Sequence, residues 1–337
     1  MFDEVLLLII FTAALGFGFS NGMNDAANAV AAAVGSRSIS LRNAIVLAAI
    51  GNLAGAYVGA TTGAAVAKTI GKGIISAEAV TGDLGYSIVI GAILAAIIWA
   101  ITATQIGLPI SVSHSLISGL VGAGLASGSD IGWGKFSTTL SAVITAPLLG
   151  FVGAFVLVVI LFWVFRKYAP DRVRNNFKRL QYITTGFLSY AHGNNDGQMP
   201  IALMVMGLVL YTGNVAYWED IPWGIILAGA ASISLGTAVG GWRVIQTIGM
   251  RMTSLESYQA FVANLSAAGV IEIASHLGIP VSTTHCSVSS VIGVGAANRL
   301  SAVRWGVTRN ITWAWILTFP ICIGTGLILT LLLKQII

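Results

Sequence analysis

Long apolar stretches alternate with short polar breaks along almost the whole chain. Stretches of roughly 17–25 residues can cross a bilayer as helices. They fall near 5–35, 44–66, 86–104, 109–126 and 139–165. After the polar run RKYAPDRVRNNFKR they resume near 181–211, 223–240, 257–275, 280–297 and 311–335. The pattern predicts an all-α integral membrane protein of about 10–12 transmembrane segments, because helices satisfy their own backbone in lipid. It divides the chain into a first membrane repeat (1–165), a basic linker (166–180) and a second membrane repeat (181–337).

Composition agrees: 56% of residues are hydrophobic and 9% charged, where soluble domains carry about 25% charged residues. The 40 glycines suit close helix packing in lipid. The opening MFDEVLLLIIFTAALGFGF has an acidic start and no small-residue cleavage site, so it reads as a retained first segment, not a signal peptide. Cys286 and Cys322 lie in apolar surroundings and say nothing about redox compartment. With Met1 outside and every stretch crossing, 13 of the 17 Lys and Arg face the cytoplasm, among them those of the linker. The positive-inside rule favours that orientation. Topology therefore explains the net charge of +5 without nucleic acid, and a multi-pass cell-membrane protein is expected.

Two motif pairs share one offset. Asp25 and Asp196 are 171 residues apart, and so are Pro109 and Pro280. FSNGMNDAAN answers YAHGNNDGQM, and IGLPISVSHSLISGLVGAG answers LGIPVSTTHCSVSSVIGVG. An odd number of crossings per half, five here, would insert the second half the opposite way. Inverted-topology repeats with interrupted helices at their junction are a secondary-transporter architecture. A re-entrant hairpin at 105–127 would weaken the parity argument but not the repeat.

Asn24-Asp25 and Asn195-Asp196 each follow a glycine inside a long apolar stretch, and each pair can begin the second half of a broken helix. A carboxylate at that depth is costly and usually functional. Pro109 and Pro280 suit the first turn of a new helix. The hydroxyls of Ser111, Ser113 and Ser115, and of Ser282, Thr283 and Thr284, follow at helix N-termini, which attract anions. His114 and His285 are expected to hydrogen-bond neighbouring segments and fix their geometry, while His192 and His276 are expected to be structural. No Lys or Arg falls within these motifs. A divalent anion would therefore need cations entering with it, although a pure cation carrier would use the same ligands. An intramembrane metal-dependent hydrolase built on Asp25, Asp196, His114 and His285 lacks any short-spaced ligand pair such as H-E-x-x-H. A passive ion channel would also use intramembrane acids and broken helices.

These motifs resemble those of the inorganic phosphate transporter family, the type III sodium–phosphate carriers. GMNDAANAVAAAVGS (22–36), GNND (193–196) and the Pro segments at 107–114 and 278–285 carry the likeness. It implies import of inorganic phosphate with Na⁺ or H⁺ by alternating access at a midplane site, and a homodimer; no cofactor is expected. Phosphate contacts would come from Asn24, Gln105, Ser111, Ser113, Asn195, Ser282, Thr283 and Thr284. Na⁺ ligands would come from Asn24, Asp25, Ser113, Asn195, Asp196 and Thr284, with Asn52 and Asn264 standing where animal relatives carry glutamates. The long loop of animal relatives shrinks here to the linker near 166–180. Amides and hydroxyls suit dehydrated Na⁺ better than a bare proton, with Asp25, Asp196 and possible third Glu272 the titratable groups. H⁺-coupled transport of phosphate or metal-phosphate is the alternative.

Overall fold

A computed structural model describes residues 2–75 and 84–337. Met1, the residue on which the expected orientation is stated, is not among them. Among the described residues thirteen α-helices follow one another: α1 (Phe2–Gly35), α2 (Leu41–Thr61), α3 (Ala65–Gly73), α4 (Gly85–Ile106), α5 (Val112–Ser127), α6 (Trp133–Phe165) and α7 (Pro170–Asp196). Then come α8 (Gln198–Thr212), α9 (Trp223–Val239), α10 (Trp242–Gln246), α11 (Ser257–His276), α12 (Thr283–Asn298) and α13 (Trp305–Leu333). Among the described residues no strand forms; Ile75 and Ile131 make one isolated bridge. All ten expected stretches are helical. The helices α1, α2, α4, α6 and α13 are each long and apolar enough to span. Apolar side chains such as Ile144 and Trp163 on α6 and Ile328 on α13 stay exposed, as lipid-facing positions do.

The ten stretches are not ten equal crossings. Both α5 and α12 have 16 residues, about 24 Å at the helical rise, short of a hydrocarbon core of about 30 Å. Each is the second arm of a hairpin, α4–α5 or α11–α12, and each turn opens on a left-handed glycine, Gly107 at φ +76° or Gly278 at φ +65°. These glycines too are 171 apart. An L side chain there costs about 1–2 kcal/mol, so Gly278→Ala should lower stability by that amount. Gly134→Ala, where an added Cβ meets nothing within 4 Å, should not. Denaturant unfolding in detergent compares the two.

The first Asn-Asp pair does not break its helix: α1 is helical throughout. The second pair does, at Gly197 between α7 and α8. Pro200 supplies the reason, because it has no N–H for the Asp196 carbonyl; Ala29 occupies the matching place in α1. Two short segments were not expected. One is α3, whose Thr69 hydroxyl donates to the Gly278 carbonyl at 2.8 Å. The other is α10 with the π turn Thr247–Arg251, bent 63° from α9. Its Thr247 hydroxyl donates to the Gly107 carbonyl, also at 2.8 Å, and Arg243 donates to the Gln105 carbonyl. Each hairpin turn is therefore capped by one short helix. On α3, Lys68 and Lys72 pair with Glu219 and hold its carboxyl below the usual carboxylate range.

Candidate functional site: the meeting of two hairpin turns

Helical periodicity puts Asn21, Asn24, Asp25 and Asn28 on one face of α1, at i, i+3, i+4 and i+7. All four are buried. The matching face of the second half carries His192, Asn195, Asp196 and Met199, again buried. Against these faces stand the N-termini of α5 and α12. Ser111 caps α5, its Oγ accepting from the His114 N–H at 3.2 Å. Ser282 caps α12 in the same way, accepting from the His285 N–H at 3.1 Å.

The contacts cross between the halves. Ser113 Oγ donates to Asp196 Oδ1 at 3.1 Å, and Thr284 Oγ1 lies 3.1 Å from Asp25 Oδ1. Thr284 also donates to the Ile110 carbonyl at 2.7 Å, joining the two turns directly. Thr283 Oγ1 lies 3.3 Å from Asp25 Oδ2 and 3.1 Å from Asp196 Oδ2. One hydroxyl proton cannot serve both carboxylates, so Thr283 holds the two side chains together without satisfying both. The 171 offset recurs among the amides: Asn24 Nδ2 donates to Thr104 Oγ1 at 2.8 Å, and Asn195 Nδ2 to Ser275 Oγ at 2.9 Å. That leaves the side-chain oxygens of Asn24 and Asn195, and those of Asn21 and Asn28, buried without a hydrogen-bond partner. Buried polar atoms rarely stay unbonded. Oxygen atoms left over beside two carboxylates form a donor set suited to a hard cation.

His192 corrects the sequence reading most. Its Nε2 lies 3.4 Å from Asp25 Oδ2 and 3.3 Å from Asp196 Oδ2. The three side chains form the cluster of His and carboxylate groups closest to a metal-binding arrangement among the described residues. Its Nδ1 lies 2.8 Å from Asn52 Oδ1. Asn52 therefore touches the ring and not the carboxylates, and its amide donates to Thr237 Oγ1 at 2.7 Å. Asn264 stands apart, donating to Thr185 Oγ1 at 3.2 Å. Gln105 is exposed and contributes its backbone carbonyl to Arg243, while its neighbour Thr104 faces the cluster. His114 and His285 pack where expected but not as expected. Their ring nitrogens have no partner; the rings meet edge to face with centroids 5.0 Å apart, His114 beside Phe319 and His285 beside Trp315. Trp315 Nε1 in turn donates to the Pro109 carbonyl at 3.1 Å. Glu272 accepts from Asn194 Nδ2 at 3.0 Å, and exposed His276 bonds the Glu272 backbone. Sequence reasoning thus passed over Asn28, Thr104 and Ser275 and gave His192 only a structural role. The helical period around each Asn-Asp pair, or the 171 offset, would have found all four.

Buried carboxylates, amides and hydroxyls thus converge from two hairpin turns inside a multi-pass helical membrane protein, and its family marks it as a transport protein. Residues 21–326 match the phosphate transporter family, and the chain belongs to it. A "probable low-affinity inorganic phosphate transporter" of Rhizobium meliloti is 40% identical over 319 residues, covering 94% of this chain and 92% of that protein. One of the same description from Bacillus subtilis is 35% identical over 98% of both chains. A solved structure titled "The sodium-dependent phosphate transporter" superposes with a TM-score of 0.91 at 29% identity, over 99% of this chain and 100% of that one.

Proposed function

We propose that this protein carries inorganic phosphate across the cell membrane together with Na⁺, by alternating access at the buried cluster between the two hairpin turns. The observation that carries the reading is the crossed contact pattern, Ser113 to Asp196 and Thr284 to Asp25, with Thr283 reaching both. Phosphate is seated on the N-termini of α5 and α12, by Ser111, Ser113, Ser282, Thr283 and Thr284 with Asn24 and Asn195. Na⁺ takes the Asp25 and Asp196 carboxylates with the unbonded amide oxygens of the α1 and α7 faces. Neither ion is well held alone. Two aspartates repel an anion, and cations between them reverse that sign.

Membrane repeats 1–165 and 181–337, inserted in opposite senses around the linker 166–180, account for the paired hydrogen bonds at one offset. The short segments capping the turns from Gly278 and from Gly107 are then the outer and inner gates, with α3 outside and the α10 segment inside. The positive-inside rule places the linker, Arg243 and Arg251 in the cytoplasm. The assembly is a homodimer, as the family resemblance implies.

One observation favours a second reading, coupling to H⁺: His192 sits within reach of both aspartates and imidazole carries protons near neutral pH. Uptake of labelled phosphate into proteoliposomes separates the two. An inward Na⁺ gradient at equal pH should drive accumulation above equilibrium, and a proton gradient without Na⁺ should not. Accumulation that follows the proton gradient and ignores Na⁺ would select the second reading.

A further inference from the structure

We propose that the elbow between α6 and α7 is a binding site for one anionic phospholipid of the adjoining leaflet. The charge pattern points there first. Residues 166–179 hold six Lys and Arg against the single Asp171, while the rest of the chain carries eleven basic and eleven acidic side chains. The entire net charge of +5 is therefore concentrated at one bend. Beneath it lies an aromatic bowl of about 450 Å³, bordered by Phe162, Phe165, Tyr168, Phe177 and Tyr258.

The bowl is preformed, because its rings brace one another. Phe177 lies edge-on to Phe165 at 5.5 Å and to Phe261 at 5.1 Å, and Phe162 meets Tyr258 at 5.6 Å. Two arginines stand on the rim. The guanidinium of Arg166 is laid over the exposed Trp163 ring, 4.2 Å from its centroid, which fixes it beside a lipid-facing surface. Arg174 is oriented by Asp171 at 2.8 Å. Glu256, the other acid at the rim, is held in the capping box of α11, and the six basic side chains of 166–179 outnumber it and Asp171. An apolar bowl at the end of a spanning helix, with guanidinium groups above it, matches the acyl-to-phosphate boundary of a lipid. Arg forks also suit a phosphodiester.

The full-length protein in detergent tests this by native mass spectrometry after mixing with equal phosphatidylglycerol and phosphatidylcholine. The native chain should retain phosphatidylglycerol preferentially. Arg166→Gln with Arg174→Gln should lower that retention about 30-fold, from about a factor of five per basic side chain, without changing phosphatidylcholine retention. Lys135→Gln, on α6 far from the elbow in sequence, should retain it fully. Equal retention of the two lipids by the native chain would overturn the proposal, as would undiminished retention by the double variant. So would displacement of the lipid by excess inorganic phosphate, which would make the elbow a free-anion site. The readout is lipid and not transport, so it stands or falls apart from the proposed coupling.

Discussion

Asp25→Asn or Asp196→Asn should each reduce Na⁺-driven phosphate uptake about 100-fold or more, with the protein still folded. Removing one partner of a buried charge contact costs about 2–5 kcal/mol, and a factor of ten is about 1.4 kcal/mol. An amide keeps the shape and one oxygen of the carboxylate, so Thr283, Thr284 and Ser113 retain an acceptor. What it loses is the charge that draws a cation to the anion. Uptake assays on reconstituted protein, with gel filtration confirming the fold, measure the effect. Near-normal uptake in either variant would remove that aspartate from the site.

Thr283→Val should be the next most damaging change, lowering uptake about 10- to 100-fold. The side chain is nearly isosteric, so packing against α1 and α7 survives. What disappears is the hydroxyl lying between Asp25 Oδ2 and Asp196 Oδ2, and hydrogen bonds to charged groups contribute about 1.5–3 kcal/mol. The first half already has Val112 at the matching position, so the two halves are unequal here and α12 provides the bridge. The loss should appear as weaker apparent affinity for Na⁺, because the bridged carboxylates are the ligands proposed for the cation. Unchanged Na⁺ affinity with reduced thermal stability would mark Thr283 as structural.

Much of this arrangement was legible in the sequence because membrane helices repeat strict patterns. The apolar stretches gave the helices, and the shared offset gave Asp25 opposite Asp196 and Pro109 opposite Pro280. Ser113 and Thr284 could be named because helix starts after proline are locally determined. Three kinds of feature were not legible. Helix continuity was one: glycine before both Asn-Asp pairs suggested two breaks, but only the second half carries a proline, Pro200, that removes the needed N–H. Depth was another. A stretch of apolar residues reads as a crossing whether it spans or turns back, and only tertiary contact reveals α5 and α12 as returning arms. Facing was the third. Gln105 stands just before the first Pro motif, yet one residue on a helix is a turn of about 100°, which points Gln105 away and Thr104 inward. A structural role is expected for His192 from its lack of a partner histidine in the other half, although its place one turn before Asp196 puts it beside both carboxylates.

Equilibrium binding of labelled phosphate, measured across a series of Na⁺ concentrations, tests the central claim most directly, because two ligands bound at one site as proposed would alter each other's affinity reciprocally. Phosphate affinity should rise with Na⁺ in the native protein and lose that dependence in Asp25→Asn. Phosphate binding of equal strength with and without Na⁺ would contradict the account.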